Sequence, residues 1–115
     1  MHISIIGVGA MGGAMLEGFL RSDSFSASDI SISNPHTDRL APYAEQGVQV
    51  YADNRKAAAW GDVVFLVVKP WLVESVMEEI SDVLDAERQV LVIVAAGLKA
   101  YSKIGRAVQQ ECRDR

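Results

Sequence analysis

The sequence predicts an α/β fold, a doubly wound parallel sheet of strand order 3-2-1-4-5 with helices on both faces. Three observations carry this expectation. Short segments rich in Val and Ile alternate with segments whose apolar residues fall at helical spacing. The connections are short, so each strand-helix-strand unit closes as a right-handed crossover and the strands run parallel. The first strand runs straight into Gly7, Gly9 and Gly12, with a helix behind them.

Ile3, Ile5 and Ile6 give a β-branched first strand, and Met15, Leu16, Phe19 and Leu20 give the next segment an apolar face reaching about Arg21. Residues 22–29 are polar enough for a loop, after which Ile30 and Ile32 alternate with serines as a second strand. Asn34-Pro35 closes that strand, because proline disfavours helix at the residue before it. The spacing predicts a helix over residues 37–46, with Leu40 and either Tyr43 or Ala44 inward and Gly47 as its stop. Val48 and Val50 make a third strand, and residues 55–60 a short alanine-rich helix. Residues 63–68, VVFLVV, are apolar without a break, so the fourth strand is expected to be covered on both faces. Lys69-Pro70 stops it. Over residues 70–84, Val73, Val76, Met77, Ile80 and Leu84 share one side while Glu74, Glu78, Glu79 and Asp82 share the other, which predicts the clearest helix. Pro70 suits its first turn, where no N–H is needed. Residues 89–96 make a fifth strand ended by Gly97, and Tyr101, Ile104 and Val108 predict a last amphipathic helix before the charged end.

With 115 residues, half of them apolar, the chain has the size of one domain and can bury a core. A formal net charge of -4 leaves no basic run to neutralise successive phosphates, which argues against a nucleic-acid partner. The one cysteine, Cys112, has no internal disulfide partner, and no C-x-x-C or His/Cys cluster suggests a metal. His2 and His36 have no partner at triad or metal spacing and read as surface residues, while Trp60, Tyr101 and Met77 fit core or interface. The apolar N-terminus is too short for a membrane span and lacks a basic flank, so a cytoplasmic protein with no membrane partner is expected.

Strand, glycine turn and helix in that order are the fingerprint of a dinucleotide site. Gly7 permits the sharp bend, Gly9 lets the backbone approach a pyrophosphate, and Gly12, helped by Gly13 and Ala14, lets the helix pack against the strand. The N–H groups of Ala10, Met11 and Gly12 then face the phosphates, with the helix dipole adding positive potential. At the end of the second strand an acidic residue would hold a ribose 2′-hydroxyl, but this chain has Ser33 and Asn34, with Thr37 and Arg39 following. That favours NADP(H), with NAD(H) the other option if Asn34 only starts a turn and Asp38 fills the acidic role. Lys69 ends the strongest strand beside the switch point, where it either holds a phosphate or substrate group or is simply solvated. Asn54 meets the adenosine end or caps a helix. His36 is a minor candidate for a 2′-phosphate contact.

With these residues in place, the chain resembles the amino-terminal, Rossmann-type domain of pyrroline-5-carboxylate reductase, the enzyme of the last step of proline synthesis. The matching pieces are IGVGAMGGAM from Ile6, SNP from Ser33, DN at Asp53-Asn54, DVVFLVVKP from Asp62, and VIVAAG from Val92. Related cofactor domains, including those of coenzyme-F420-dependent NADP oxidoreductases, share the glycine turn but match the V-K-P and A-A-G segments less well. The resemblance implies transfer of a hydride from NADPH, or less often NADH, to the C=N bond of pyrroline-5-carboxylate. It places the phosphates on Ile6, Gly7, Val8, Gly9, Ala10, Met11 and Gly12, and the adenosine end on Asn34 and Asn54. Val68, Lys69 and Pro70 with Ala95, Ala96 and Gly97 line the ribose and nicotinamide. The cofactor carries the hydride and the protein positions it.

Members of that family continue into an M-P-N segment and a helical domain that dimerises and holds the substrate carboxylate, and neither follows Arg115. The expectation is a fragment or natural truncation that binds NADP(H) weakly and does not turn over pyrroline-5-carboxylate unaided. The resemblance implies a homo-oligomer built by that later domain; this chain is expected to be monomeric or to associate through the face carrying Tyr101 and Val108. The alternative function is a free-standing nucleotide-binding or regulatory module that kept the fold without the chemistry.

Overall fold

The computed structural model describes residues 1–34, 40–94 and 107–110. In chain order the elements are β1 (Ile3–Ile6), α1 (Ala10–Arg21), β2 (Ile30–Ser33), α2 (Ala41–Glu45), β3 (Gln49–Tyr51), α3 (Asn54–Trp60), β4 (Val63–Leu66), α4 (Val73–Ile80), β5 (Val90–Val94) and β6 (Ala107–Gln110). The six strands form one sheet ordered β3-β2-β1-β4-β5-β6, and every pairing is parallel. The first five keep the expected 3-2-1-4-5 order. β1 lies between β2 and β4 with Ile5 level with both Ile32 and Phe65, so the winding reverses there.

The sixth strand corrects the expected last helix. Val108 lies on β6, level with Val92 of β5, while Tyr101 and Ile104 fall outside the described residues. Three apolar residues at helical spacing are a weak local signal. The open edge of β5 offers a row of backbone donors and acceptors, and pairing with it outweighs that signal.

Two cores cover the two faces of the sheet, as the period-two alternation of strand side chains requires. One gathers Ile3, Ile5, Ile30, Ile32 and Val48 under Leu16 of α1 and Leu40. The other gathers Ile6, Val64, Leu66, Leu91 and Ile93 under Ala57 and Ala58 of α3 and Val73, Val76, Met77 and Ile80 of α4. Burial of each large aliphatic side chain contributes about 1.5–3 kcal/mol to stability. Tyr43, not the exposed Ala44, is the inward residue of α2. Gly47, at φ +106°, ends that helix as expected, donating its N–H to the Ala44 carbonyl at 3.0 Å. The expected helix over residues 70–84 is α4 flanked by 3-10 turns at Pro70–Leu72 and Ser81–Val83.

α3 sits close to the sheet where small residues meet on both sides. Ala57 and Ala58 are fully buried over Ser4 and Ser31, which stand level on β1 and β2. The Ser4 hydroxyl donates to the Ala57 carbonyl at 2.6 Å, so its 2.7 Å contact with Ser31 is one in which Ser31 donates. Where α3 ends, a side chain on Gly61 would run into Ser4.

Candidate functional site

A cleft of about 250 Å³ opens at the carboxyl edge of β1 and β4, where the winding reverses. Such a switch point is where doubly wound sheets take their ligands. Gly7 turns the chain there at φ +96°, a conformation that favours glycine. Its N–H donates to the Ser33 carbonyl at 2.9 Å, and the N–H of Val67 donates to the Ile6 carbonyl at 2.8 Å, which pins the turn between the ends of β2 and β4. A side chain on Gly7 would also collide with the Val67 carbonyl.

The other glycines divide the expected roles. A Cβ on Gly12 would meet the Gly7 carbonyl, so α1 approaches the turn only because that Cβ is missing. A Cβ on Gly9 would meet no protein atom within 4 Å, and Gly9 lines the cleft. Protein packing therefore does not require glycine at position 9. The packing help expected of Gly13 and Ala14 is corrected: a Cβ on Gly13 meets nothing within 4 Å, and Ala14 faces solvent because the helix turns both away from the sheet. α1 begins directly after Gly9 with no acidic residue in its first turn, so the positive end of its dipole is uncompensated by its own side chains.

Ile6, Gly7, Val8, Gly9, Ser33, Asn34, Asn54, Val68 and Lys69 all line this cleft. Ala10, Met11 and Gly12 lie on the first turn of α1, and Pro70 opens the 3-10 turn beyond Lys69; Met11, Gly12 and Pro70 do not line the cleft. Ala95, Ala96 and Gly97 fall outside the described residues, as do His36, Thr37, Asp38 and Arg39. Lys69 is exposed at the rim, three residues past the end of β4. His2 is exposed and stacks on Trp60 with ring centroids 4.1 Å apart, while Met77 is core. No group of three or more His, Cys, Asp or Glu side chains could hold a metal among the described residues.

Two polar residues differ from expectation. Ser33 is fully buried and spends its hydroxyl on the Oδ1 of Asn54, which removes it as a phosphate donor. The cap of α3 is Asp53, whose Oδ1 accepts from the Arg55 N–H at 2.9 Å, so Asn54 stands one residue inside the helix. Its Nδ2 donates to Glu79 Oε1 of α4 at 3.0 Å. Arg55 ties the same helices together, donating to the Glu79 carbonyl at 3.1 Å and to the Asp82 carboxylate. That contact holds the Asp82 carboxyl below the ordinary carboxylate range and raises the guanidinium.

Sequence reasoning missed Val67, Leu72 and Val76 as lining residues. The position of Val76 on the apolar stripe of α4 was legible; the second use of that stripe as a cleft wall depends on how α4 sits. No described helix is long and apolar enough to cross a membrane.

Known proteins are similar to this chain over most of its length. A pyrroline-5-carboxylate reductase 3 of Danio rerio is 33% identical over 98 residues, 85% of this chain and 34% of that protein. A pyrroline-5-carboxylate reductase of Pseudomonas aeruginosa is 35% identical over 102 residues, 88% of this chain and 37% of that protein. The solved structure of a pyrroline-5-carboxylate reductase from Coxiella burnetii matches with a TM-score of 0.75 and 32% identity, covering 84% of this chain and 36% of that one. The chain thus spans about a third of the length of these relatives. The model of the family described as NADP oxidoreductase, coenzyme F420-dependent, matches residues 2–97, and the chain belongs to that family.

Proposed function

We propose that this chain is the cofactor domain of a reductase that transfers a hydride from NADPH to the C=N bond of 1-pyrroline-5-carboxylate. The hydride adds to the imine carbon, the nitrogen takes up a proton, and proline and NADP⁺ leave. The observation that carries the cofactor reading is the cleft itself. It lies at the switch point, next to the N-terminus of α1, and a side chain at Gly9 is excluded by nothing in the protein. Similarity of 33% and 35% to two pyrroline-5-carboxylate reductases supports the substrate.

In this reading Gly7, Val8 and Gly9 lie along the pyrophosphate while the first turn of α1, Ala10, Met11 and Gly12, supplies N–H groups and dipole. Asn34 and Asn54 hold the adenosine end. Val68, Lys69 and Pro70 with Ala95, Ala96 and Gly97 line the ribose and nicotinamide. The cofactor supplies the hydride, and these residues bind and orient it. We assign NADP(H) over NAD(H), since residues 33 and 34 are serine and asparagine and no carboxylate there repels a 2′-phosphate. The cytoplasm is the proposed compartment, consistent with a single cysteine, Cys112.

Calorimetric titration with NADPH and NADH tests this reading. Binding of NADPH tighter than NADH is expected, and failure to bind either nucleotide overturns it. Joined to the remainder of a homologous reductase, the chain is expected to support oxidation of NADPH that depends on pyrroline-5-carboxylate.

A further inference from the structure

Behind the cleft, α4 holds a carboxylate against one of the lining residues. Leu72 and Val76 line the cleft, and Glu79, one turn beyond Val76 on the exposed side of α4, accepts from Nδ2 of Asn54 at 3.0 Å. We propose that Glu79 is a positioning residue for the adenosine end of the cofactor, acting through Asn54; this rests on the dinucleotide reading of the cleft.

A side-chain amide has two nearly isosteric ends, and its neighbours decide which faces where. The Ser33 hydroxyl cannot decide, because it can donate to the oxygen or accept from the nitrogen. A carboxylate only accepts, so Glu79 must face Nδ2. Oδ1 then faces Ser33, and the Ser33 hydroxyl becomes the donor. Ser33 is fully buried at the end of β2, where it backs the same cleft, and its hydroxyl is directed at Asn54. The amide of Asn54 is therefore held in one orientation, with one N–H and one lone pair left for a ligand in the cleft that it lines. Ribose hydroxyls and a purine edge offer both acceptors and donors for that pair. Holding the amide beforehand spares the ligand the cost of ordering it.

The carboxylate serves this purpose without carrying the architecture. Arg55 latches α3 to α4 through the main-chain carbonyl of Glu79 and through Asp82, contacts that do not use the Glu79 side chain.

The test is calorimetric binding of NADPH and of adenosine 2′,5′-bisphosphate to wild type, Glu79→Gln, Glu79→Ala, Asn54→Ala and the Asn54→Ala/Glu79→Ala double variant, with thermal melts alongside. Glu79→Ala is expected to weaken both ligands about tenfold, the scale of one lost charge-assisted contact. Glu79→Gln, whose amide oxygen still accepts, is expected to stay within about threefold of wild type. The double variant is expected to bind no worse than Asn54→Ala alone, because the effect passes through Asn54. Binding by Glu79→Ala within about threefold of wild type, or losses that add in the double variant, overturns the proposal. Failure of the wild type to bind NADPH overturns the proposed function and this inference with it.

Discussion

The Gly7 carbonyl stands where a side chain on Gly12 would begin, with Cγ2 of Ile5 a further 3.7 Å from that same point. The first turn of α1 thus rests against the turn that precedes it, and the helix N-terminus is aimed by this contact. Gly12→Ala is expected to lower stability by about 1–3 kcal/mol, since the strain of overpacking exceeds the gain of about 1 kcal/mol in helix propensity. Gly13→Ala, one residue along, has open space for its methyl and is expected to stabilise by up to about 1 kcal/mol. Thermal melts of the two variants should shift in opposite directions. A Gly12→Ala protein as stable as wild type would show that the turn yields easily.

Gly9 separates binding from folding. Its φ of -96° lies outside the left-handed region that favours glycine, and an added methyl meets no protein atom within 4 Å. Gly9→Ala is expected to change stability by no more than about 1 kcal/mol, the difference between glycine and alanine at a helix N-cap. NADPH affinity is expected to fall at least about tenfold, because the methyl occupies the line along which the backbone approaches the pyrophosphate. Calorimetry and a melt on the same sample decide it. Unchanged affinity would mean that the phosphates do not pass over Gly9.

Much of this site was legible because its requirements are local. Gly7 is required by backbone conformation and Gly12 by a contact five residues away, and both leave their mark in the spacing of a single stretch. The five-strand order was legible for a similar reason: unbroken apolar runs such as residues 63–68, of which β4 takes the first four, mark strands covered on both faces. The bond from Asn54 to Glu79 was not legible, because it joins residues 25 apart and depends on how α3 packs beside α4. In sequence, Glu79 is one more charge on the polar side of an amphipathic helix. β6 failed differently, since pairing with the edge of β5 is a property of the sheet that no local periodicity records.

At the opposite end of the sheet, Asp62 binds two segments at once. Its carboxylate accepts from the His2 N–H at 2.9 Å and from Arg88 at 3.0 Å, joining the start of β1 to the approaches to β4 and β5. The His2 N–H, then the Arg88 charge, hold its carboxyl below the ordinary value of 3.8. A carboxyl lowered on folding contributes stability above its unfolded pKa and loses it as pH falls through the folded one. The stability difference between wild type and Asp62→Asn is therefore expected to be constant near neutrality and to shrink below pH 3.8. Urea titrations across that range measure it. A difference that grows in acid would reverse the sign and remove the carboxylate as its cause.

The serine pair beneath α3 links stability to the site. Ser31 donates to Ser4, and Ser4 donates to the Ala57 carbonyl, all within a fully buried layer. Removing the middle member leaves the Ser31 hydroxyl without its acceptor, so Ser4→Ala is expected to cost about 1–3 kcal/mol. Ser4→Ala with Ser31→Ala removes the stranded donor as well and is expected to be less destabilised than Ser4→Ala alone, because an unsatisfied buried group costs more than an absent one. Asn54 opens the helix that this chain of hydroxyls holds down, one turn before Ala57. Ser4→Ala is accordingly expected to weaken NADPH binding as well, with part of the loss restored in the double variant. If the double variant is the less stable of the two, the hydroxyls act independently and α3 is positioned by packing alone.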